Sequence, residues 1–156
     1  MSRLRLIVLA IIAFGLTGVA LAGQQVEPVY GPTNPAPKQQ EAAKVKRYAS
    51  VIELCPEKEQ EYRRLHAAVW PEVVAAVKRG NIRNYSIYVA ELNGKKYLFS
   101  YLEYTGTDPK ADFAKIGEDP TVKDKWWPLT DACQLRLPGT PEGEQWKAIE
   151  MLMLVE

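Results

Sequence analysis

Two strand-like runs joined by a two-residue turn constrain the fold of this 156-residue chain more than any other feature. The runs are IRNYSIYVAEL (82–92) and KKYLFSYLEYT (95–105), and both have the alternating pattern of half-buried β-strands. Between them stands Asn93-Gly94, a pair that tolerates the positive φ angles of a tight hairpin turn. The sequence therefore predicts an antiparallel hairpin inside the domain.

A strand and a helix are predicted before the hairpin. RYASVIEL (47–54) is rich in strand-forming residues and ends at Cys55-Pro56. EKEQEYRRLHAAV (57–69) then takes helical periodicity, with acidic residues in its first turn, where the helix dipole favours them. Gly80-Asn81 is expected to end this helical region.

A second helical region and a last strand are predicted after the hairpin. DPKADFAKIGE (108–118) and DPTVKDKWW (119–127) each open with Asp-Pro, a helix cap followed by proline at the first helical position. QWKAIEMLMLV (145–155) is expected to form the last strand. The order βαββαβ predicts an α+β, ferredoxin-like fold, a four-stranded antiparallel sheet with helices on one face. The other face then needs a cover, and we expect a homodimer of the dimeric α/β-barrel type.

The first 22 residues have the anatomy of a secretory signal peptide. Arg3 and Arg5 precede an apolar run from Leu6, and Ala20-Leu21-Ala22 provides a small-residue cleavage site. An uncleaved membrane anchor needs about 20 apolar residues, whereas this run has roughly 17. We expect cleavage after Ala22 and an exported protein, periplasmic or secreted, with an uncleaved segment as its one means of membrane contact.

Residues 23–45 are predicted to be a flexible spacer, and residues 46–156 a single domain. The spacer is rich in Pro, Gln, Ala and Gly and has no periodic apolar positions, so it buries too little surface to offset its ordering entropy. The remaining residues are numerous enough to bury a core without metal or disulfides. Cys55 and Cys133 permit a disulfide in an oxidising compartment but do not require one.

The charge balance argues against a nucleic-acid partner. The chain has 20 Lys and Arg against 19 Asp and Glu, and removal of Arg3 and Arg5 leaves 18 against 19. Binding to phosphate backbones needs clustered basic residues, and this balance provides no excess of them.

The only histidine of the chain, His66, stands in the first helix. Tyr62 lies one turn before it on the same predicted buried face, within side-chain reach. Pro71 disfavours helical angles at Trp70, so the helix is expected to break there, one turn beyond His66. A lone histidine on an apolar face is more often a core residue with one backbone hydrogen bond, and that alternative stays open at this point.

Aromatic residues elsewhere favour a binding site. Tyr85 and Tyr88 stand on a predicted strand, and Trp126-Trp127 end a predicted helix. Adjacent helical side chains diverge by about 100°, so at least one of the two tryptophans should line a surface or cleft. Trp and Tyr pair an apolar face with a polar edge, which suits a sugar ring.

Three segments together resemble the L-rhamnose mutarotase family: Y-x-x-x-H-A-A-V-W-P-E (62–72), G-N-I-R-N-Y-S-I-Y (80–88) and K-D-K-W-W (123–127). The similarity covers essentially the whole of residues 46–156. It implies a dimeric α+β enzyme that interconverts the α and β anomers of L-rhamnose without a cofactor. It also implies that His66 is the catalytic acid and that the sugar is contacted by Tyr62, Tyr85, Trp126 and Trp127.

Two features depart from the family pattern. Pro128 follows the tryptophan pair and is expected to bend the second helix early, altering that wall of the site. The export signal is atypical of cytoplasmic members, which leaves L-fucose as a competing substrate.

Anomer exchange suits these residues, because a group with a pKa near 6.5 can both donate and accept a proton at ambient pH. The sequence has no motif that points to a metal ion or an activated nucleophile. Two other functions remain open. His66 could be an axial haem ligand, as a single helical histidine is in related architectures. The domain could also be a non-catalytic carbohydrate-binding module, which would keep the aromatic residues without needing His66.

Overall fold

The computed structural model describes residues 27–155, and one antiparallel sheet forms its centre. The strands are β1 (Lys46–Leu54), β2 (Ile82–Leu92), β3 (Lys95–Tyr104), β4 (Gln134–Leu135) and β5 (Lys147–Ile149). β1 pairs with β3 on one side and with both β4 and β5 on the other, and β2 pairs with the outer edge of β3. The order β2-β3-β1-β5 is that of the predicted ferredoxin-like sheet, and the α+β fold is confirmed.

Five α-helices accompany the sheet within the described part of the chain: α1 (Pro37–Ala42), α2 (Glu59–Ala67), α3 (Pro71–Arg79), α4 (Pro109–Glu118) and α5 (Trp127–Asp131). A short 3-10 helix, Pro56–Lys58, leads into α2, and a π-helical turn, Val122–Trp126, leads into α5. No helix within residues 27–155 is long and apolar enough to cross a membrane.

The predicted break between the first two helical segments is present. Ala68 leaves helical geometry (φ −143°, ψ 71°), and Trp70 is extended (φ −59°, ψ 138°) before α3 begins at Pro71. Proline disfavours helical angles in the residue before it but is well placed in a first helical turn. The break therefore follows from the Trp-Pro pair, and it leaves His66 in the last turn of α2.

Both Asp-Pro pairs start helical segments, as the sequence predicts. The Asp108 carboxylate accepts a hydrogen bond from the Ala111 backbone N–H, and Asp119 accepts from the backbone N–H groups of Thr121 and Val122. Helical geometry continues through Pro128, and the π-helical turn Val122–Trp126 comes directly before it. The expected bend of this helix at Pro128 stays a prediction.

The core lies between the sheet and the helices and contains two clusters. One is Ile52, Leu54, Tyr62, Leu98 and Cys133, and the other is Leu65, Val73, Ala76, Val122 and Trp126. Ile52 pairs with Leu98, so even-numbered residues of β1 and β3 point to the helices. Odd-numbered residues of both strands consequently point to the opposite face, which lies away from α2, α3, α4 and α5 and which we call the bare face.

A buried carboxylate ties α4 to the sheet. Asp112 accepts hydrogen bonds from the hydroxyl of Tyr104 (2.7 Å), the amide of Asn81 (2.7 Å) and the ammonium of Lys115 (2.8 Å). These donors, Lys115 first, lower the pKa of Asp112 to about 2. The bonds fix α4 as the outer boundary of the helical layer.

The two ends of the domain differ from the sequence prediction or lie outside it. The last strand is only Lys147–Ile149, because the chain beyond it leaves β1 and the Leu154 N–H bonds to the Thr33 carbonyl. The predicted spacer contains α1, and its mobility stays a prediction. The predicted signal peptide lies outside the described residues. Cys55 and Cys133 are joined by a backbone hydrogen bond of 2.9 Å, and their thiols are unbridged.

Candidate active site

A cleft of about 850 Å³ opens between the helical face of the sheet and the helices. The five residues that the sequence singles out all line it: Tyr62, His66, Tyr85, Trp126 and Trp127. They come from α2, from β2, from the π turn that leads into α5 and from the first residue of α5. The fold therefore gathers in one cavity residues that are as much as 65 positions apart in the sequence.

His66 is half-buried in the wall of the cleft, and its orientation is fixed by the helix that carries it. Its Nδ1 lies 3.0 Å from the backbone carbonyl oxygen of Tyr62, one turn earlier. A carbonyl oxygen only accepts, so the neutral ring donates from Nδ1 and keeps the lone pair of Nε2 free. Burial lowers the pKa of His66, partly opposed by this backbone bond. The resting imidazole is neutral and can accept a proton at Nε2.

Tyr62 forms the next part of the wall. Its ring stacks on His66 with centroids 4.0 Å apart and an interplanar angle of 24°. The ring also belongs to the core cluster around Ile52, which holds it rigidly. Burial raises the pKa of the Tyr62 hydroxyl, with a smaller opposing effect of a hydrogen bond from Gln134. The hydroxyl therefore remains protonated at all physiological pH values.

The adjacent tryptophans diverge, and each takes a different role in the wall. Trp126 is 6% exposed and its ring lies 5.4 Å from that of His66 and 5.3 Å from that of Trp70, centroid to centroid. Trp127 is 41% exposed and lines the cleft, and the six-membered part of its ring lies against Gly117 of α4. Trp70 thus supports the site from behind, at the helix break.

Tyr85 reaches the cleft because of a β-bulge. Arg83 pairs with Glu103 but Ser86 pairs with Tyr101, so β2 has one extra residue here. In a regular strand Tyr85 would oppose Tyr101 on the bare face, and the extra residue turns it to the helical face. Asn84 accommodates the bulge with a positive φ of 49° and bonds to the Glu103 carboxylate.

Protein surrounds Tyr85 on several sides and raises the pKa of its hydroxyl, although 46% of the residue is exposed. A raised pKa and a large exposed fraction are compatible for a side chain in an open cleft, because protein surrounds it on most sides and water reaches it from one. Tyr85 is therefore a protonated hydroxyl group, accessible to a ligand.

The structure adds residues to the cleft that the sequence does not single out. They include Asp131, Gln134, Arg136 and Trp146. Asp131 follows Trp127 by one helical turn, and burial raises the pKa of its carboxyl group. Its spacing of four residues from Trp127 could have placed it on the same helical face and so predicted it as a cleft residue. Gln134, Arg136 and Trp146 lie in or next to an irregular loop, and no periodic pattern predicts their positions.

This loop, residues 137–146, forms the outer wall of the cleft and is held by Arg136. The guanidinium donates from Nε to the Glu144 carbonyl (2.9 Å) and from Nη2 to the carbonyls of Pro141 (2.8 Å) and Thr140 (3.3 Å). Trp146, at the far end of the loop, packs against the core cluster around Ile52. Hydrogen bonds from Arg136 thus hold the middle of the loop, and the packing of Trp146 holds its end.

The cleft provides a proton acceptor, hydroxyl donors and aromatic faces. Within residues 27–155, no group of three or more His, Cys, Asp or Glu side chains is placed to hold a metal ion. Flat rings beside protonated hydroxyls and a neutral imidazole suit a polyhydroxylated ring with one exchangeable proton at its reacting centre.

Comparison with known proteins gives a consistent result. The sequence model of the L-rhamnose mutarotase family matches residues 47–153. The L-rhamnose mutarotase of Listeria monocytogenes serotype 4b is 37% identical over 83 residues, which are 53% of this chain and 74% of the relative. That of Sinorhizobium fredii is 32% identical over 106 residues, 67% of this chain and 96% of the relative.

A solved structure has the same fold. The crystal structure of an L-rhamnose mutarotase from Formosa agariphila superimposes with a TM-score of 0.50 at 20% identity, covering 71% of this chain and 99% of that one. The sequence match spans β1 to the C-terminal tail and includes every residue of the candidate site. The chain belongs to the L-rhamnose mutarotase family.

Proposed function

We propose that this protein is an aldose mutarotase that interconverts the α and β anomers of L-rhamnose or a similar 6-deoxy sugar. The observation that carries the proposal is His66, a neutral imidazole held in an aromatic cleft by a hydrogen bond at Nδ1. Membership of the family supports the reaction type, which makes the protein an isomerase.

The reaction needs two proton transfers that a histidine can serve. Ring opening breaks the bond between C1 and the ring oxygen, while the C1 hydroxyl loses a proton and the ring oxygen gains one. Closure on the other face of the aldehyde reverses both transfers. Nε2 of His66 accepts the C1 hydroxyl proton, and the resulting imidazolium donates that proton to the ring oxygen, so the imidazole is neutral again once the ring is open. On closure Nε2 takes the proton back from this hydroxyl group and donates it to the aldehyde oxygen, which becomes the C1 hydroxyl of the other anomer.

The remaining groups of the cleft hold the sugar. Tyr62 and Tyr85 keep their hydroxyl protons, because burial raises both pKa values, and so they donate hydrogen bonds to sugar oxygens or to the ring oxygen. Trp126 and Trp127 offer ring faces to the C–H groups and the C6 methyl group of a deoxy sugar.

Exchange spectroscopy on the anomeric protons tests the activity and ranks the substrates. We expect the protein to accelerate α/β exchange of L-rhamnose at substoichiometric concentration, and L-fucose measured in parallel shows which sugar has the higher kcat/KM. Sugar binding without any acceleration would contradict the proposal and identify a carbohydrate-binding module instead.

We also propose that the bare face of the sheet closes a homodimer. The register places Val51, Tyr88, Phe99 and Tyr101 on this face, and Tyr88 is 62% exposed. A contiguous apolar and aromatic face of this kind is typical of an interface between subunits.

Sedimentation velocity tests the dimer. We expect the purified protein to sediment with twice the mass of one chain, and Tyr88→Lys to shift it to the monomer, because the substitution places a charge in the centre of the interface. Val74→Lys, on the exposed side of α3, is the matched control and should leave the dimer intact. A monomeric wild-type protein would refute the proposal.

Export is the third part of the proposal and rests on the sequence of residues 1–22. N-terminal sequencing of the protein from a periplasmic or culture fraction should give Gly23 as the first residue. A protein that begins at Met1 or Ser2 and stays in the cytoplasm would contradict export.

A further inference from the structure

Gln134 brings a buried, unpaired amide oxygen to the lining of the cleft. It stands in the two-residue strand β4, opposite Leu54 of β1, and its side chain lines the cleft. The residue is only 9% exposed, and its Oε1 atom is buried without a hydrogen-bond partner among the described residues. Buried polar atoms in folded proteins are nearly always paired, so an unpaired one beside a cleft is notable.

The incomplete bonding does not depend on which way the amide is turned. The Gln134 side chain lowers the pKa of the Tyr62 hydroxyl by a hydrogen-bonding interaction, so one end of its amide faces that hydroxyl. If the amide oxygen and nitrogen exchanged places, the oxygen would accept from Tyr62 and the nitrogen would be left unpaired instead. One polar end of Gln134 therefore lacks a partner in either orientation.

A sugar hydroxyl can complete this bonding, because it both donates and accepts. Gln134 lines the cleft and the terminal torsion of glutamine is broad, so rotation of the amide can present its unpaired end to a bound sugar. Tyr62, the partner of the paired end, stacks on His66 and lies next to the reacting centre of the proposed mechanism. The ligand of Gln134 is therefore a hydroxyl of the same sugar ring.

We propose that Gln134 is a further sugar-binding residue, whose unpaired amide end hydrogen-bonds one hydroxyl group of the 6-deoxy sugar bound beside Tyr62. The proposal rests on the proposed function for the identity of the ligand. It adds a polar contact from β4 to a site otherwise built from α2, β2 and the tryptophan pair. Such a bond is present both before and after ring opening. It therefore strengthens binding, which lowers Kd and KM, and leaves kcat unchanged.

Gln134→Met tests the proposal, since methionine keeps the length of the side chain and removes both polar ends. We expect KM and Kd for L-rhamnose to rise roughly 5- to 20-fold, with kcat within about threefold of wild type. Gln134→Glu keeps an acceptor and should restore part of the affinity if the sugar hydroxyl donates. Gln60→Met, on the exposed surface of α2, is the matched control and should change neither constant.

Monodeoxy analogues of L-rhamnose, lacking the hydroxyl at C2, C3 or C4, identify the contact. We expect one analogue to bind more weakly than L-rhamnose to the wild type but equally well to Gln134→Met. Wild-type affinity in Gln134→Met, or equal penalties for every analogue in both proteins, would overturn the proposal. A lower kcat with unchanged KM would also overturn it.

The two proposals fail in different ways. A wild-type protein that binds L-rhamnose without accelerating its exchange refutes the mutarotase, while the Kd values still test Gln134. If the wild-type protein accelerates exchange and Gln134→Met has the same KM and Kd as the wild type, only the role of Gln134 is refuted.

Discussion

At the residue level, the state of His66 is determined by two neighbours. The Tyr62 carbonyl accepts a hydrogen bond from the Nδ1–H group, and the neighbouring aromatic rings shield the imidazole from water. The first fixes the tautomer, and the second disfavours the charged form, so both keep Nε2 available as a base. The sequence predicted the helix that carries His66, the tyrosine one turn before it and the helix break at the Trp-Pro pair. The direction of Tyr85 was not, because it depends on a bulge whose only signal is an asparagine that tolerates positive φ.

The pH dependence of kcat/KM follows from the lowered pKa of His66. The proposed mechanism needs neutral Nε2 in the free enzyme, so activity should be constant near pH 7 and above. It should fall only as the pH drops through an apparent pKa below 6.5, the ordinary value for histidine. Exchange rates of L-rhamnose at subsaturating concentration, corrected for the buffer, measure the profile. An apparent pKa above 6.5 would contradict the assigned resting state.

At the level of elements, the strands of the hairpin were predictable and the loop that closes the cleft was not. β2 has the predicted bounds and β3 differs by one residue, because local propensity and the Asn93-Gly94 turn determine both. β4 and the shortened β5 depend on which segments reach β1 in space, and no local pattern encodes that. For the same reason the sequence did not predict three cleft residues in or next to β4 and the loop, namely Gln134, Arg136 and Trp146.

Arg136→Ala should loosen the outer wall of the cleft. Its guanidinium donates three hydrogen bonds to backbone carbonyls of loop 137–146. Without these bonds the loop is more mobile, and sugar binding must then bear the cost of ordering it. We expect KM to rise roughly 3- to 10-fold and kcat to stay within about twofold. Hydrogen exchange should speed up at the Thr140 and Glu144 amides.

Lys147→Ala provides the control for this variant. Its ammonium donates to the Pro138 carbonyl of the same loop (3.0 Å), but Lys147 does not line the cleft. It should leave KM nearly unchanged. An equal rise of KM in both variants, or unchanged loop exchange in Arg136→Ala, would refute the role of Arg136 as the clamp.

At the level of the whole molecule, the fold brings a helix end, a bulged strand and a tryptophan pair to one side of a single sheet. The element order predicted that side, since the helical connections of a βαββαβ chain join parallel, non-adjacent strands, here β1 to β2 and β3 to β5, and pack on one face of the sheet. The opposite face carries Tyr88, Phe99 and Tyr101, and the cleft and the proposed dimer interface therefore lie on different faces. Oligomerisation and catalysis can be tested independently on this account.

The measurement that tests the central claim most directly is anomeric exchange of L-rhamnose in the presence of wild-type protein and of His66→Ala, with sugar binding followed in the same samples. General acid–base catalysis typically contributes 10²- to 10⁴-fold, so the variant should lose at least about 100-fold in kcat while still binding the sugar. A variant that binds L-rhamnose and exchanges its anomers as fast as wild type would show that His66 is a packing residue and that the proposed mechanism is wrong.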